Sequence, residues 1–308
     1  MLFRSKFVIP YYFSDECENK MKDAFDEKRS DVRKEWLRRY TPQPLQLPSQ
    51  MSYGEFIDKF LIQYSYDNCD RSLPLLMDGL KECQRKILFT AKTTKNQSIK
   101  VAQLQGVVSN KTHYHHGEDC IGNAIINMAQ NFVGSNNIPL FLDEGQFGTR
   151  LKANDAASPR YIFTKLRPEV NRIFPPADDA ILTYLEDEGV QIEPREYAPI
   201  IPMVLVNGAN AIGTGWSCTI PCYNPSDVAE AVRCWIRGES LPELTPWYKG
   251  FTGDVVKGSR GTYLTYGRIE RDGKYVHVRE LPVGMWIDKF KERLEDLRDG
   301  NQIGRAHV

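Results

Sequence analysis

The pair Pro175-Pro176, directly after Phe174, limits what this chain can fold into more than any other feature. Each proline fixes its own φ, lacks an amide donor and pushes the residue before it towards extended geometry, so no helix or inner strand runs through this point. Before it, apolar residues recur at helical spacing. Tyr53, Phe56, Ile57, Phe60 and Leu61 form one stripe. Ile121, Ala124, Ile125, Met128, Ala129 and Phe132 form another, with Gly134 placed as its C-cap. After it, extended segments are punctuated by Gly and Pro, and Asp272-Gly273 reads as a hairpin turn. The expectation is an α+β chain in two main parts, helical first and β-rich second.

Local patterning adds detail. Leu73, Leu76, Met77, Leu80, Cys83 and Ile87, interrupted by Asp78-Gly79, predict a short helix, a turn and a longer helix, a helix-turn-helix outline. On the longer helix Lys81, Arg85 and Lys92 fall within about 40° of one another at ~100° per residue, away from the apolar stripe, and are expected to meet phosphates. Pro139 to Phe147 alternates loosely and reads as wing strands leading to a loop around Tyr161. Upstream, Ser14 to Tyr40 reads as helix, and 41–50, with prolines at 42, 44 and 48, as a linker. Trp286, Phe290, Leu294 and Leu297 begin an amphipathic helix near the end.

The 308 residues suffice for about two domains. No apolar run approaches the ~20 residues of a membrane helix, and no signal peptide is expected. Seven cysteines, an odd number without a C-x-x-C pair, predict reduced thiols and argue against a zinc site. Net charge is zero, but its distribution is uneven. Lys81 to Gly117 holds seven Lys/Arg against Glu82 alone, with three of the five histidines, whereas Asp178 to Glu196 holds seven acids against Arg195. A basic patch in a neutral chain is a usable phosphate footprint. The ends are expected to be non-native: Leu2-Phe3-Arg4-Ser5 and Ile303-Gly304-Arg305 can be encoded by the two senses of one nucleotide sequence.

The chemistry centres on Asp155-Ala156-Ala157-Ser158-Pro159-Arg160-Tyr161-Ile162-Phe163-Thr164. Pro159 stiffens the approach, and the next two residues are a guanidinium and a phenol. A phenol attacks poorly at neutral pH unless charge or a base favours the phenolate. Arg160 supplies such a charge and can also bind a pentavalent phosphorus centre. Taken alone, an Arg-Tyr pair is more often a half-buried Tyr beside a surface Arg, so the remaining residues must decide. Gly208-Ala209-Asn210-Ala211-Ile212-Gly213-Thr214-Gly215 lacks the order of a nucleotide loop. It reads instead as a tight turn presenting Ile212, an apolar tip suited to wedging between base pairs.

Collinear motifs then carry a resemblance. They begin with Arg71-Ser72-Leu73-Pro74, Asp78-Gly79-Leu80-Lys81 and Gln84-Arg85-Lys86. Lys100-Val101-Ala102-Gln103-Leu104, Tyr114-His115-His116-Gly117-Glu118 and Ala129-Gln130-Asn131-Phe132-Val133-Gly134-Ser135-Asn136-Asn137 follow. Gly145-Gln146-Phe147-Gly148-Thr149-Arg150-Leu151, the Arg160-Tyr161 loop, Ile201-Pro202-Met203-Val204-Leu205-Val206-Asn207-Gly208 and Gly213-Thr214-Gly215-Trp216-Ser217 complete the series. From about residue 23 to 290 the chain resembles the DNA-breakage core of eukaryotic-type type IIA DNA topoisomerases.

The resemblance implies an ATP-dependent enzyme that breaks both strands of one duplex, passes another through and religates. It implies a winged-helix domain carrying the catalytic Tyr over 51–174, a β-rich tower over 175–284, and from 285 the helix leading to a coiled coil. Residues 1–40 would be the end of an upstream Toprim-side region. Tyr161 would form a 5′-phosphotyrosyl bond and Arg160 would stabilise the transition state. Arg71 and His115 would support the scissile phosphate, with His116 a secondary member. Arg33, Lys34, Lys81, Tyr114 and Trp286 would contact DNA, and Ile212 would intercalate. Double-stranded DNA and a second copy of the chain, forming a homodimer, are the implied partners, in the nucleus or at a viral or cytoplasmic replication site. Mg2+ and ATP would bind outside this chain, and no metal ligand is assigned within it, so these residues alone are expected to be inactive. The runner-up is a non-catalytic DNA-bending relative, disfavoured by the joint presence of Arg160, Tyr161, Arg71 and His115. A meiosis-type tyrosine transesterase of the B class is disfavoured by the tower-like segment. Two departures stand out. Lys152-Ala153-Asn154 replaces a Gly-Gly-Lys loop one residue longer, and Ala211 replaces a glycine before Ile212. Cys120 takes the place of a small hydroxyl residue and is given no role.

Overall fold

A computed structural model of the chain describes residues 9–95 and 97–300. The expected non-native ends, 1–5 and 303–308, lie outside the described residues. The described residues form two compact units. One runs up to Pro74 and includes Asn210–Thr219; the other comprises Leu75–Ala209 and the chain from Ile220 onward.

The first unit contains β1 (Tyr11–Tyr12), α1 (Cys17–Phe25), α2 (Ser30–Arg38), β2 (Met51–Ser52), α3 (Tyr53–Phe56) and α4 (Ile62–Ser72), with a π-type turn at Ile57–Leu61 joining the last two. The single helix read over Ser14–Tyr40 is therefore two. Asp26 adopts extended geometry (ψ 125°) and its carboxylate accepts from the Lys28 amide at 2.9 Å, a local bond that competes with helix continuation. Residues 41–48 carry no helix or strand. A reciprocal cap starts α3: Ser52 Oγ accepts from the Glu55 amide, and Glu55 accepts from the Ser52 amide.

The second unit begins with α5 (Glu82–Thr93), β3 (Ile99–Lys100), α6 (Val101–Lys111), α7 (Glu118–Ala129), β4 (Phe163–Thr164) and α8 (Val170–Ile173). Helices α5, α6 and α7 pack on one another. Ile87, Leu88, Val101, Val108, Ile121 and Ile125 are fully buried between them. At roughly 1.5–3 kcal/mol for each large aliphatic side chain removed from water, this cluster is a main source of stability. The apolar stripe read at 121–129 is thus core. Gly134 is not its cap, because α7 ends at Ala129 with Gln130 in the C-cap position, and Gly134 instead turns the following loop with φ +87°. Pro139–Phe147 forms no strand of its own; single bridges pair Phe141 with Leu166 and Glu144 with Phe163.

The short helix expected around Leu73–Met77 is absent. Chain direction reverses through a turn in which the Gly79 amide donates to Leu75 O and the Leu75 amide to Leu80 O. Gly79 has φ +70°, and a Cβ there would stand 2.6 Å from the Val204 amide nitrogen, so only glycine fits. Leu76 is left 80% exposed, although helical spacing assigns it to the core.

Onward lie β5 (Tyr184–Asp187), β6 (Val190–Pro194), α9 (Met203–Val206), β7 (Ala209–Gly213), β8 (Trp216–Ile220) and α10 (Pro225–Arg237). They are followed by β9 (Asp254–Lys257), β10 (Tyr263–Tyr266), β11 (Arg268–Asp272), β12 (Tyr275–Glu280) and α11 (Ile287–Asp299). Every sheet among the described residues has two strands. The hairpin predicted at Asp272-Gly273 joins β11 to β12, with Gly273 at φ +58°. Asn224 caps α10, Pro225 opens it, and Gly238 ends it in the left-handed region.

Candidate active site and nucleic-acid interface

Tyr161 stands on a turn pinned to the start of α6. The first amides of a helix have no partner within it. Here the Val101 amide donates to Ile162 O and the Ala102 amide to Pro159 O, both at 3.0 Å. The Tyr161 amide closes the turn onto Ser158 O at 2.9 Å, and β3 pairs with β4 immediately beyond. Alternation along the strand sends Ile162 and Thr164 inward and Tyr161 outward, 73% exposed. Gly145 is required beneath, since with φ +126° its Cβ would meet Ile162 Cγ2 at 2.9 Å. The exposed Arg160 guanidinium carbon lies 5.9 Å from the Tyr161 ring centroid. A nucleophile and a cation thus share one exposed, anchored turn.

The approach to this turn contains the shortened loop. Asp155 accepts from the Thr149 amide at 2.7 Å and from Thr149 Oγ1 at 2.6 Å, which with nearby Lys152 holds its carboxyl below the usual carboxylate range. Ala153 is forced to φ +65°, a region L-residues rarely adopt. Its carbonyl accepts from Gln130 Nε2 at 2.9 Å. Lys152 pairs with Asp288 at 3.0 Å.

His115 sits on the loop between α6 and α7. That loop is held from below by Lys86, whose ammonium donates to Thr112 O at 3.2 Å and lies 2.7 Å from Glu193. Burial raises the Glu193 carboxyl, against the lowering effect of Lys86. His113 takes φ +45°, and Asp187 reaches both His113 Nδ1 (3.5 Å) and His115 Nε2 (3.3 Å). Sequence reasoning counts Asp187 only among the acids of 178–196 and misses this contact. No local signal marks its role, because it lies 72 residues from His115. Tyr114 packs edge-on against His116, and burial pushes its phenol above its ordinary range.

The basic face read on α5 is not a phosphate-facing stripe. Arg85 is buried and grips Asp78 through Nε (2.7 Å to Oδ2) and Nη2 (3.2 Å to Oδ1). The Lys92 side chain, 5% exposed, pairs with Asp179 at 2.7 Å and donates to Phe174 O. A helical wheel equates charge with solvent; these cations instead meet carboxylates contributed by other segments. Lys81 lies at the N-cap of α5, where its amide donates to Gln84 at 2.9 Å. Trp286 caps α11, half-buried, with its ring edge-on to Phe132 at 6.0 Å.

In the first unit, β7 and β8 form a hairpin turned at Thr214-Gly215, which carries Ile212 at 78% exposure. The Cys69 thiol donates to Thr214 O, and Gly215 lies against Arg33 and Lys34 on α2. Ala211 is buried without a left-handed backbone, so this replacement of glycine is accommodated. Arg33 donates to the carbonyls of Asp23 and Asp26, Lys34 pairs with Asp31, and the Arg71 guanidinium lies 5.8 Å from the Tyr64 ring centroid. Arg33, Lys34, Arg71 and Ile212 therefore belong to one unit, and Lys81, Tyr114, His115, Arg160, Tyr161 and Trp286 to the other. Among the described residues, no three His, Cys, Asp or Glu side chains are placed to hold a metal ion.

Comparison with known proteins accounts for this pattern. Residues 71–306 match the family model of the A-type subunit of DNA gyrase/topoisomerase IV, and residues 5–69 that of the C-terminal associated domain of TOPRIM. The chain is 45% identical to DNA topoisomerase 2 of Invertebrate iridescent virus 6 over 98% of its length, and 44% identical to the mitochondrial DNA topoisomerase 2 of Dictyostelium discoideum over 97%. It spans only 28% and 24% of those two relatives. The crystal structure of the Plasmodium falciparum topoisomerase II DNA-binding, cleavage and re-ligation domain superposes with a TM-score of 0.84 at 40% identity, covering 95% of this chain and 41% of that one. The chain belongs to the type II DNA topoisomerases and carries the region matched by the gyrase/topoisomerase IV family model.

Proposed function

We propose that this chain is the catalytic-tyrosine part of a type IIA DNA topoisomerase that makes a transient double-strand break through Tyr161. The observation that carries the reading is the exposed Arg160-Tyr161 turn, pinned to the first amides of α6 within a chain of this family. Tyr161 Oη attacks a backbone phosphorus. The bond from phosphorus to the 3′ oxygen breaks, that oxygen takes a proton, and a 5′-phosphotyrosyl ester remains. Because one phosphoester replaces another, the reverse attack by the 3′ hydroxyl religates without an external energy source. Arg160 is placed to neutralise charge building on the phosphoryl oxygens.

His115, held by Asp187, and Arg71 support the scissile phosphate in this reading. Lys81, Tyr114, Trp286, Arg33 and Lys34 contact the duplex, and Ile212 enters the base stack at its exposed hairpin tip. The helices α5 to α7 with the β3–β4 pair act as the winged-helix module, and the hairpins that follow as the tower. In this reading Mg2+ and ATP are used by the full-length enzyme and bound by segments outside this chain. The working enzyme is a homodimer on double-stranded DNA, in the nucleus or at a viral replication site.

The test is Tyr161→Phe in the full-length protein, scored by the covalent protein–DNA adduct trapped with denaturant. The adduct should vanish while duplex binding persists. An adduct that survives the substitution would reassign the nucleophile.

A further inference from the structure

The hairpin of β5 and β6 meets the loop between α6 and α7 from both of its strands. It turns at Glu188-Gly189, both in the left-handed region, as a two-residue hairpin loop requires. On β6, buried Glu193 lies 2.7 Å from Lys86, whose ammonium also donates to Thr112 O at the start of the loop. Asp187, the last residue of β5, sets one oxygen, Oδ2, against two rings, His113 Nδ1 at 3.5 Å and His115 Nε2 at 3.3 Å. His113 Nδ1 is buried, and its residue holds φ +45°, so the inner ring sits on a constrained backbone. The His115 side chain is 75% exposed, and Asp187 is its hydrogen-bonding partner.

We infer that Asp187 is a positioning residue for strand cleavage that acts through His115. The inference rests on the reading of His115 as a support of the scissile phosphate, and adds the residue that aims it. An exposed imidazole held only by its backbone samples several rotamers. An ionised carboxylate accepts and cannot donate, so the bond to Asp187 requires the hydrogen on Nε2 and selects one orientation of the ring. The ring is thus ordered before DNA arrives, and its ordering is not a cost of reaching the transition state. The pair of Lys86 with Glu193 ties the same hairpin to the start of the loop, so Asp187 and His115 keep a common frame. An acid beside a phosphate site repels the duplex, so Asp187 opposes binding while it favours the step that follows. That opposition separates it from a residue that contacts DNA or only packs.

The experiment places the full-length enzyme on a duplex whose religating strand is lost after cleavage, starts the reaction with Mg2+ and follows the covalent adduct after quenching in denaturant. Asp187→Ala should lower the rate constant of adduct formation at saturating duplex by about 3- to 10-fold, the ordering of one side chain, while duplex binding stays equal or tightens. Asp187→Asn returns an acceptor for Nε2–H and should recover part of the rate. Glu186→Ala removes an equal charge from the opposite face of β5 and should leave the rate constant as it is. In a His115→Ala background, Asp187→Ala should cost nothing further. The inference is overturned if Asp187→Ala cleaves at the wild-type rate while His115→Ala is slow, or if its loss is one of duplex binding. It is equally overturned if Asp187→Ala slows the His115→Ala enzyme by the factor seen in the wild type, since the effect then bypasses His115. A wild-type rate in His115→Ala overturns the reading of His115 itself, and the inference with it.

Discussion

Asp78→Ala probes the second unit where its sequence is most misleading. Asp78 is wholly buried and its carboxylate has three partners: the Arg85 guanidinium, the Leu80 amide at 2.9 Å and the Tyr197 amide at 3.0 Å. The Arg85 side chain is itself only 6% exposed and, among the described residues, otherwise donates to Leu80 O. Removing the carboxylate strands a buried cation, a loss of roughly 3–5 kcal/mol when one member of such a pair is deleted. Two orphaned amides add about 1–3 kcal/mol each before relaxation, so about 3 kcal/mol is a floor. For a unit of this size each kcal/mol moves the melting midpoint by about 2–4 °C, so the expected fall is at least about 6 °C. Thermal unfolding followed by circular dichroism measures it. The double substitution Asp78→Asn with Arg85→Met returns one acceptor and removes the stranded charge, so it should recover a good part of the loss. A fall below about 2 °C for Asp78→Ala, or a double variant no more stable than it, would refute the argument that the buried cation sets the cost.

Two further outcomes test the loop ahead of Tyr161. Ala153→Gly relieves a left-handed alanine and should raise stability by about 0.5–1 kcal/mol in urea unfolding; an unchanged or lower midpoint would show that the loop carries no such strain. Asp155 has a depressed carboxyl, so its hold on Thr149 should be fully present above the unfolded value near ~3.9 and fade as pH falls through the lower folded value. Hydrogen exchange at the Thr149 amide should therefore stay protected from pH 7 down to about 4 and lose protection only below that. Asp155→Ala should lose it throughout, and equal protection in that variant would remove Asp155 from the account.

What could be read from the sequence was decided within a few residues; what could not depended on distant partners. Gly273 turns its hairpin because Asp-Gly tolerates positive φ, and Ile212 is exposed because a glycine turn carries it outward. The Pro159 loop and Tyr161 belong to the same class of local signal. Leu76 and Met77 have helical spacing, yet Gly79 needs a backbone that ends the helix and can pass Val204 closely. Arg85 and Lys92 have the right angles for a DNA-facing stripe, but their fates are set by Asp78 and Asp179, the second of these 87 residues away. Periodicity reports which side chains share a face, and it is silent on whether that face meets water or a carboxylate.

The shortened loop shows how a local departure is absorbed by such partners. Where the resemblance expects a Gly-Gly-Lys loop, the lysine is displaced or lost: this chain carries Lys152 at the start of Lys152-Ala153-Asn154, and its ammonium pairs with Asp288. The pair raises the Lys152 ammonium, chiefly through the hydrogen bond to Asp288, but the lysine is more than half exposed. An exposed pair of this kind adds little to stability and weakens with salt, so a closely placed anion can displace the aspartate. Ala153 takes the conformation that glycine would adopt without strain, and the Gln130 bond to its carbonyl helps hold it there. The approach to Tyr161 thus keeps a cation, Lys152, held by an exposed partner that an anion can displace, while the left-handed backbone stays on Ala153.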